Sequence, residues 1–191
     1  MLADPLFYLL AIPAVVLLGL AKGGFAGMGA LTLPLLVLVI SPLQAAAILL
    51  PILIVQDIVS VTAFRRTWDG HVLAWTLPGA LIGVAIGYAF AASVTPEAVM
   101  GAVGAIAMLF GGYRLYSARR GAVAAVRSPG WVGAIAGTAA GFTSQVAHAG
   151  GPPFQLWVLP RQLPRDVLVG TSEIFFATVN WVKVFAYWTL G

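Results

Sequence analysis

The sequence predicts an all-α integral membrane protein, a polytopic helical bundle built from two inverted repeats. Three observations point there. Hydrophobic residues make up 61% of the 191-residue chain and charged residues only 8%, with a mean hydropathy of +0.99, whereas ordinary globular domains carry about 25% charged residues. Ten Lys and Arg with six Asp and Glu cannot coat a water-facing surface of this size. The apolar runs come in bilayer-spanning lengths, and the arginines collect between them.

Four runs suit a span of about 20 residues: 43–63, 72–92, 98–117 and 167–189. Between them lie "RRTWDGH" (65–71), "SVTPE" (93–97) and "ARRGAVAAVRSP" (118–129). Two other apolar regions are interrupted. Residues 6–40 break at "KGGFAGMG" (22–29), and residues 130–160 break at "SQVAHAGGPP" (144–153). In the first, about 16 residues precede the break and about 11 follow it, too few at about 1.5 Å per residue to cross a core of about 30 Å comfortably. Each region is therefore expected to be a broken, re-entrant hairpin with its tip at membrane depth, where irregular backbone must be buried in protein or line a cavity. Two short, tilted full spans per region are the alternative.

The basic residues set orientation. Arg65 and Arg66, then Arg119, Arg120 and Arg127, are distributed as cytoplasmic loop charges are. With those loops inside, the Arg161–Arg165 loop also falls inside and every basic loop shares one face. The net charge of +4 is thus a topology signal and not a nucleic-acid footprint. The N-terminus has no basic region or small-residue cleavage site and reads as a retained first hydrophobic element.

A shift of 122 residues lays Gly19 on Gly141, Gly29 on Gly151 and Pro42 on Pro164. The expected organisation is a first repeat at 1–117 (hairpin 6–40, spans 43–63, 72–92 and 98–117), a cytoplasmic linker at 118–129, and an incomplete second repeat at 130–191 (hairpin 130–160, span 167–189). A hairpin plus three spans is an odd number of crossings, so the second unit is expected to be inverted, an arrangement typical of secondary transporters. It stops after one span, and C-terminal spans of roughly 50 to 60 residues are expected to be missing.

A half-helix that begins at mid-membrane presents unpaired N–H groups and the positive end of its dipole, which suits an anion. Gly150 and Gly151 let backbone approach a ligand, and Pro152 and Pro153 suit a first helical turn. Gly23, Gly24, Gly27 and Gly29 hold the equivalent place in the first half. Lys22 at the first break should face a polar cavity, because a membrane-centre ammonium costs at least about 2.5 kcal/mol. Lys183 lies one turn beyond Asn180 on the same helical face, with snorkelling toward an interface as its alternative.

Ser144, Thr143, Thr171 and Ser172 are candidate hydroxyl donors to an oxyanion, or bond only to nearby backbone. His148 is a candidate donor or proton carrier, or a histidine bonded to backbone at the break. Asp57, beside Gln56, is a candidate for ion coupling or for an internal ion pair, and Glu173 reads as interfacial. "GALIGVAIG" (79–87) and "GAIAGTAAG" (133–141) read as helix-packing faces. Trp68, Trp75 and Trp188 read as interfacial belt residues.

The chain has no cysteine, and no phosphate loop, metal-binding His–Glu spacing or nucleophile elbow occurs. No catalytic residue, metal or cofactor is expected. The expected partners are a small anion and the lipid bilayer, not nucleic acid, with a homodimer open. An intramembrane enzyme and a structural membrane subunit are the rival classes; the first lacks a co-located catalytic set, since His71 and His148 lie in different kinds of segment.

Four stretches carry a family resemblance: "AKGGFAGMGALTLPLL" (21–36), "QDIVSVTAFRRTWD" (56–69), "GFTSQVAHAGGPPFQLWVLPRQLP" (141–164) and "GTSEIFFATVNWVKVFAYWTLG" (170–191). Together they resemble the TauE/SafE sulfite-exporter-like permeases over nearly the whole chain. The resemblance implies a multi-pass inner-membrane transporter of sulfite, sulfonates or related organic anions, with two related halves. The family commonly shows three glycines at each break; here the breaks read "GMGA" and "HAGGPP", which alters the binding geometry in detail.

Overall fold

The computed structural model describes residues 5–22, 28–120 and 125–190, and among them there is no strand. Helix α1 (Pro5–Lys22) is followed by a 3-10 turn at Met28–Leu31 and a short α2 (Thr32–Val37). Three long helices come next, α3 (Pro42–Phe64), α4 (Gly70–Ser93) and α5 (Pro96–Arg120). Helix α6 (Gly130–Ala147) then gives way to a short α7 (Gly151–Val158), a 3-10 turn at Leu159–Arg161 and the long α8 (Arg165–Leu190). Both halves thus contain an 18-residue helix, a break, a short helix and a long one.

Local chemistry sets the ends. Ser41 caps α3 in a reciprocal pair with Gln44, and Pro42 occupies the first turn, where its missing N–H removes no helical bond. The Asp69 carboxylate accepts from the Val72 amide at 3.0 Å and caps α4. Helix α6 ends on His148, held left-handed at φ 50°, with its amide bonded to the Ser144 carbonyl at 3.1 Å and that of Ala149 to Thr143 at 3.2 Å. Two residues later Gly151, Pro152 and Pro153 open α7. The second interruption is therefore real backbone geometry. The first lies largely at 23–27, outside the described residues.

Helices α1, α3, α4 and α8 are each long and apolar enough to cross a membrane. The sequence placed α1 inside a hairpin too short to cross; it extends through Lys22 and reaches 18 residues. Helix α5 is 25 residues long and contains the expected span 98–117. Outward side chains such as Leu9, Val59, Ile82, Met108 and Leu109 are more than half exposed, as lipid-facing positions should be.

Helices α4 and α6 form the tightest pair. A methyl group on Gly83 would overlap the Thr138 carbonyl, and methyls on Gly137 and Gly141 would overlap the carbonyls of Thr76 and Ala80. Since lipid supplies no hydrophobic drive between helices, close backbone approach is what holds such a pair. Gly79 faces Ala134 and Gly83 faces Thr138, so the two helices run parallel. Helices α3 and α8 run antiparallel: Asp57 meets Asn180, while Gly170 abuts the Thr67 carbonyl.

These pairings gather the loops around Arg65, Arg127 and Arg161 at one end of the bundle. The Asp69 amide donates to Thr171 Oγ1 at 2.8 Å, and Arg161 donates to the Ser128 carbonyl at 3.1 Å. Arg161 also lies 3.7 Å over the Trp157 ring. Its burial there lowers its pKa from the ordinary arginine range, opposed by Asp69 and assisted by Arg127. Trp68, Trp75 and Trp131 stand partly exposed at the same end.

The apolar interior divides in two. One cluster joins α1, α2 and α3 through Leu18, Leu33, Leu36, Leu49 and Leu53, and reaches Val146 and Ala149 at the second break. The other joins α4, α6, α7 and α8 through Val72, Val84, Phe154, Trp157, Phe175 and Val179. Phe154 stacks on Phe175 with ring centroids 4.3 Å apart, which seats α7 against α8.

Candidate functional site

Between the two clusters lies a cavity of about 130 Å³, well above the ~10–15 Å³ that one water needs. The ends of both broken segments reach it, from Lys22 and Gly29 in one half and Ser144, His148, Gly150 and Gly151 in the other. Helix α8 completes the wall with Ser172, Glu173, Asn180 and Lys183.

Two lysines, Lys22 partly buried and Lys183 fully buried, face this region in different states. Lys22, at the end of α1, is ion-paired with Asp57 of α3 and, at 3.0 Å, with Glu173 Oε2 of α8. Asn180 Nδ2 donates to the other Asp57 oxygen at 2.8 Å. One ammonium thus answers two carboxylates and ties three helices together. Lys183 is fully buried and donates to the carbonyl oxygen and the hydroxyl of Ser144 at 3.2 and 3.1 Å. No carboxylate lies within ion-pair distance of it among the described residues. Snorkelling is excluded by that burial. Its amine instead sits at the C-terminal end of α6, where the negative end of the helix dipole favours the charged form.

Both nitrogens of the His148 ring are buried and have no hydrogen-bond partner among the described residues. The backbone bond expected as its alternative is made by its amide and not by its ring. Buried polar atoms in native proteins are normally paired with protein, water or ligand, so this ring, on a residue that lines the cavity, has donor and acceptor capacity left unused. Helix α7 adds a restricted set of amides. Pro152 and Pro153 carry no N–H, and Phe154 N–H is bonded back to the Gly150 carbonyl at 3.4 Å. The donors at this helix start are the amides of Gly150 and Gly151. A methyl on Gly151 would meet only Gln155, 3.9 Å away, so its open side faces the cavity.

Of the residues expected from sequence, Lys22, Gly29, Ser144, His148, Gly150, Gly151, Ser172, Asn180 and Lys183 come together here. Thr171 does not: its hydroxyl donates to Val167 at 2.6 Å and accepts from the Asp69 amide, a structural role at the arginine-rich end. Ser172 lines the cavity while its hydroxyl donates to Leu168 at 2.8 Å. Asp57 sits behind the wall as the partner of Lys22 and Asn180. Gly23, Gly24 and Gly27 lie outside the described residues. Glu173 was read as interfacial, yet it is 4% exposed and part of the wall. Its spacing from Asn180 and Lys183 places all three on one face of α8, a periodicity the sequence already carried.

An all-helical bundle with lipid-facing flanks and span-length apolar helices is a membrane protein, here with an interior cavity at its helix breaks that charged side chains help to line. The chain belongs to the TauE/SafE family: the family model described as "Sulfite exporter TauE/SafE" matches residues 11–191. Comparison with curated proteins and with solved structures finds no match.

Proposed function

We propose that this chain is a multi-pass permease of the cell membrane that moves a small anion: sulfite, a sulfonate or a related organic anion. The observation that carries the reading is the convergence of Lys183, of His148, whose ring is unpartnered, and of the start of α7 on one cavity. Lys183 offers the cationic charge, since its bonds to Ser144 consume donors but no charge. Lys22, the first candidate from sequence, is already answered by two carboxylates and acts chiefly as the link between α1, α3 and α8.

The antiparallel course of α3 and α8, together with the repeated order of long helix, break, short helix and long helix, supports two inverted units with re-entrant breaks. Alternating access then follows from one unit moving against the other around the cavity.

The test is flux into proteoliposomes, using radiolabelled sulfite and methanesulfonate. Saturable uptake is expected, reduced about tenfold or more by Lys183→Met, as suits loss of a charged hydrogen bond of about 1.5–3 kcal/mol. Absence of saturable flux across a panel of small anions, or unchanged flux in the variant, overturns the reading.

A further inference from the structure

Glu173 is a cavity residue that the anion reading leaves without a part. Facing it or sharing its cavity are Lys22 from α1, Asp57 and Ser60 from α3, Asn180 and Lys183 from α8, and His148 at the end of α6. The formal charges are two ammonium and two carboxylate groups, and they cancel. A monovalent anion entering this cavity adds one uncompensated negative charge, which a low-dielectric interior resists strongly. A proton arriving with the anion restores the balance.

Geometry separates the two carboxylates that could take it. Asp57 is 1% exposed and stands outside the cavity wall, with one oxygen on Lys22 and the other on Asn180. Glu173 lines the cavity, holds Lys22 through Oε2 and is also hydrogen-bonded with Ser60, whose hydroxyl can equally accept from a protonated carboxyl. A proton added to Asp57 would disrupt a carboxylate engaged on both oxygens. A proton added to Glu173 removes one of the two negative partners of Lys22 and leaves Asp57 in place. The Lys22 ammonium, itself part of the cavity wall, then has charge to offer the anion. Two cations at the ends of two broken helices face the ligand instead of one.

Resting on the anion site above, we propose that Glu173 is a proton-binding site coupled to that ligand: its carboxylate takes one proton from solution as one monovalent anion binds, and the two cross the membrane as a neutral pair. The coupling residue is on α8 and is neither Asp57 nor His148.

Calorimetric titration of the detergent-solubilised chain with methanesulfonate tests this. That probe is a monoanion across the accessible pH range, so protons exchanged with buffer belong to the protein. Two buffers of different ionisation enthalpy give the proton count. The expected result is uptake of about one proton per anion bound. Glu173→Gln should bind at least as tightly with no uptake. On the unmodified chain, infrared difference spectra should gain a protonated-carboxyl band when methanesulfonate is added, a readout that stands even where the variant does not fold. Binding without proton uptake overturns the coupling and leaves the anion site intact. Uptake without a carboxyl band places the proton on a nitrogen, His148 or Lys183, and uptake that persists in Glu173→Gln places it on another group; either result overturns the assignment to Glu173. No binding of either methanesulfonate or sulfite overturns the anion site itself.

Discussion

Lys183 of α8 closes the end of α6 by donating to both the carbonyl and the hydroxyl of Ser144, at 3.2 and 3.1 Å. The ammonium has three protons, and Ser144 engages two of its directions. It is thereby fixed in position and keeps a charge to share. Ser144→Ala should lower affinity for methanesulfonate several-fold by loosening this hold, while Lys183→Met should lower it about 10- to 100-fold. Equilibrium binding to purified protein separates the two; equal effects would mean that Ser144 contributes more than orientation.

The ion pair of Lys22 with Asp57 and Glu173 makes a directional claim about stability. Removing one member of a buried charge group typically costs about 3–5 kcal/mol, because its partner is left uncompensated. Lys22→Met leaves both Asp57 and Glu173 without their cation, whereas Asp57→Ala leaves Lys22 paired with Glu173 and strands only the Asn180 amide, so the melting temperature should fall further for Lys22→Met than for Asp57→Ala. Thermal unfolding in detergent, followed by intrinsic tryptophan fluorescence, decides the order.

The α4–α6 seam predicts where small changes matter. Gly83→Ala pushes a methyl into the Thr138 carbonyl and should destabilise by about 1–3 kcal/mol, as overpacking does. Gly104→Ala on α5 meets nothing within 4 Å and should be neutral or stabilising by up to about 1 kcal/mol. Similar melting temperatures for the two variants would show that the seam is not closely packed.

His148 combines a left-handed backbone with an unpaired ring. Non-glycine residues pay about 1–2 kcal/mol in that conformation. His148→Gly should therefore be more stable than His148→Ala by about that amount, while both lose the ring and bind anion equally weakly. A stability difference without an affinity difference is the signature to look for.

Much of the fold was legible because hydropathy is a one-dimensional signal. The expected spans 43–63, 72–92 and 167–189 sit within α3, α4 and α8, whose ends extend them by only a few residues. The second break was readable from "HAGGPP", since two glycines and two prolines cannot continue a helix unchanged. The stripes at 79–87 and 133–141 announced the seam, although not that they face each other.

What stayed hidden was the pairing of charges. Lys22, Asp57 and Glu173 come from three helices far apart in sequence, and nothing local in the chain joins them. Glu173 looked interfacial because the apolar run was taken to begin at 167. Helix α8 begins at Arg165, so Glu173 is already two turns inside. Thr171 was left open between an oxyanion donor and a backbone bond, and its hydroxyl serves the Asp69 amide of a distant loop, a partner invisible without tertiary structure.

The interlocked glycines of α4 and α6 have a mechanical corollary. With backbone seated against backbone, neither helix can slide along the other without driving a side chain into a carbonyl. The pair is a keyed beam, and the end of α6 that carries Ser144 is part of it. Displacements large enough to open the cavity to either aqueous phase must then fall on the members not keyed to that beam. Under the alternating access proposed above, α4 and α6 would be the stator of the machine, with its hinges elsewhere.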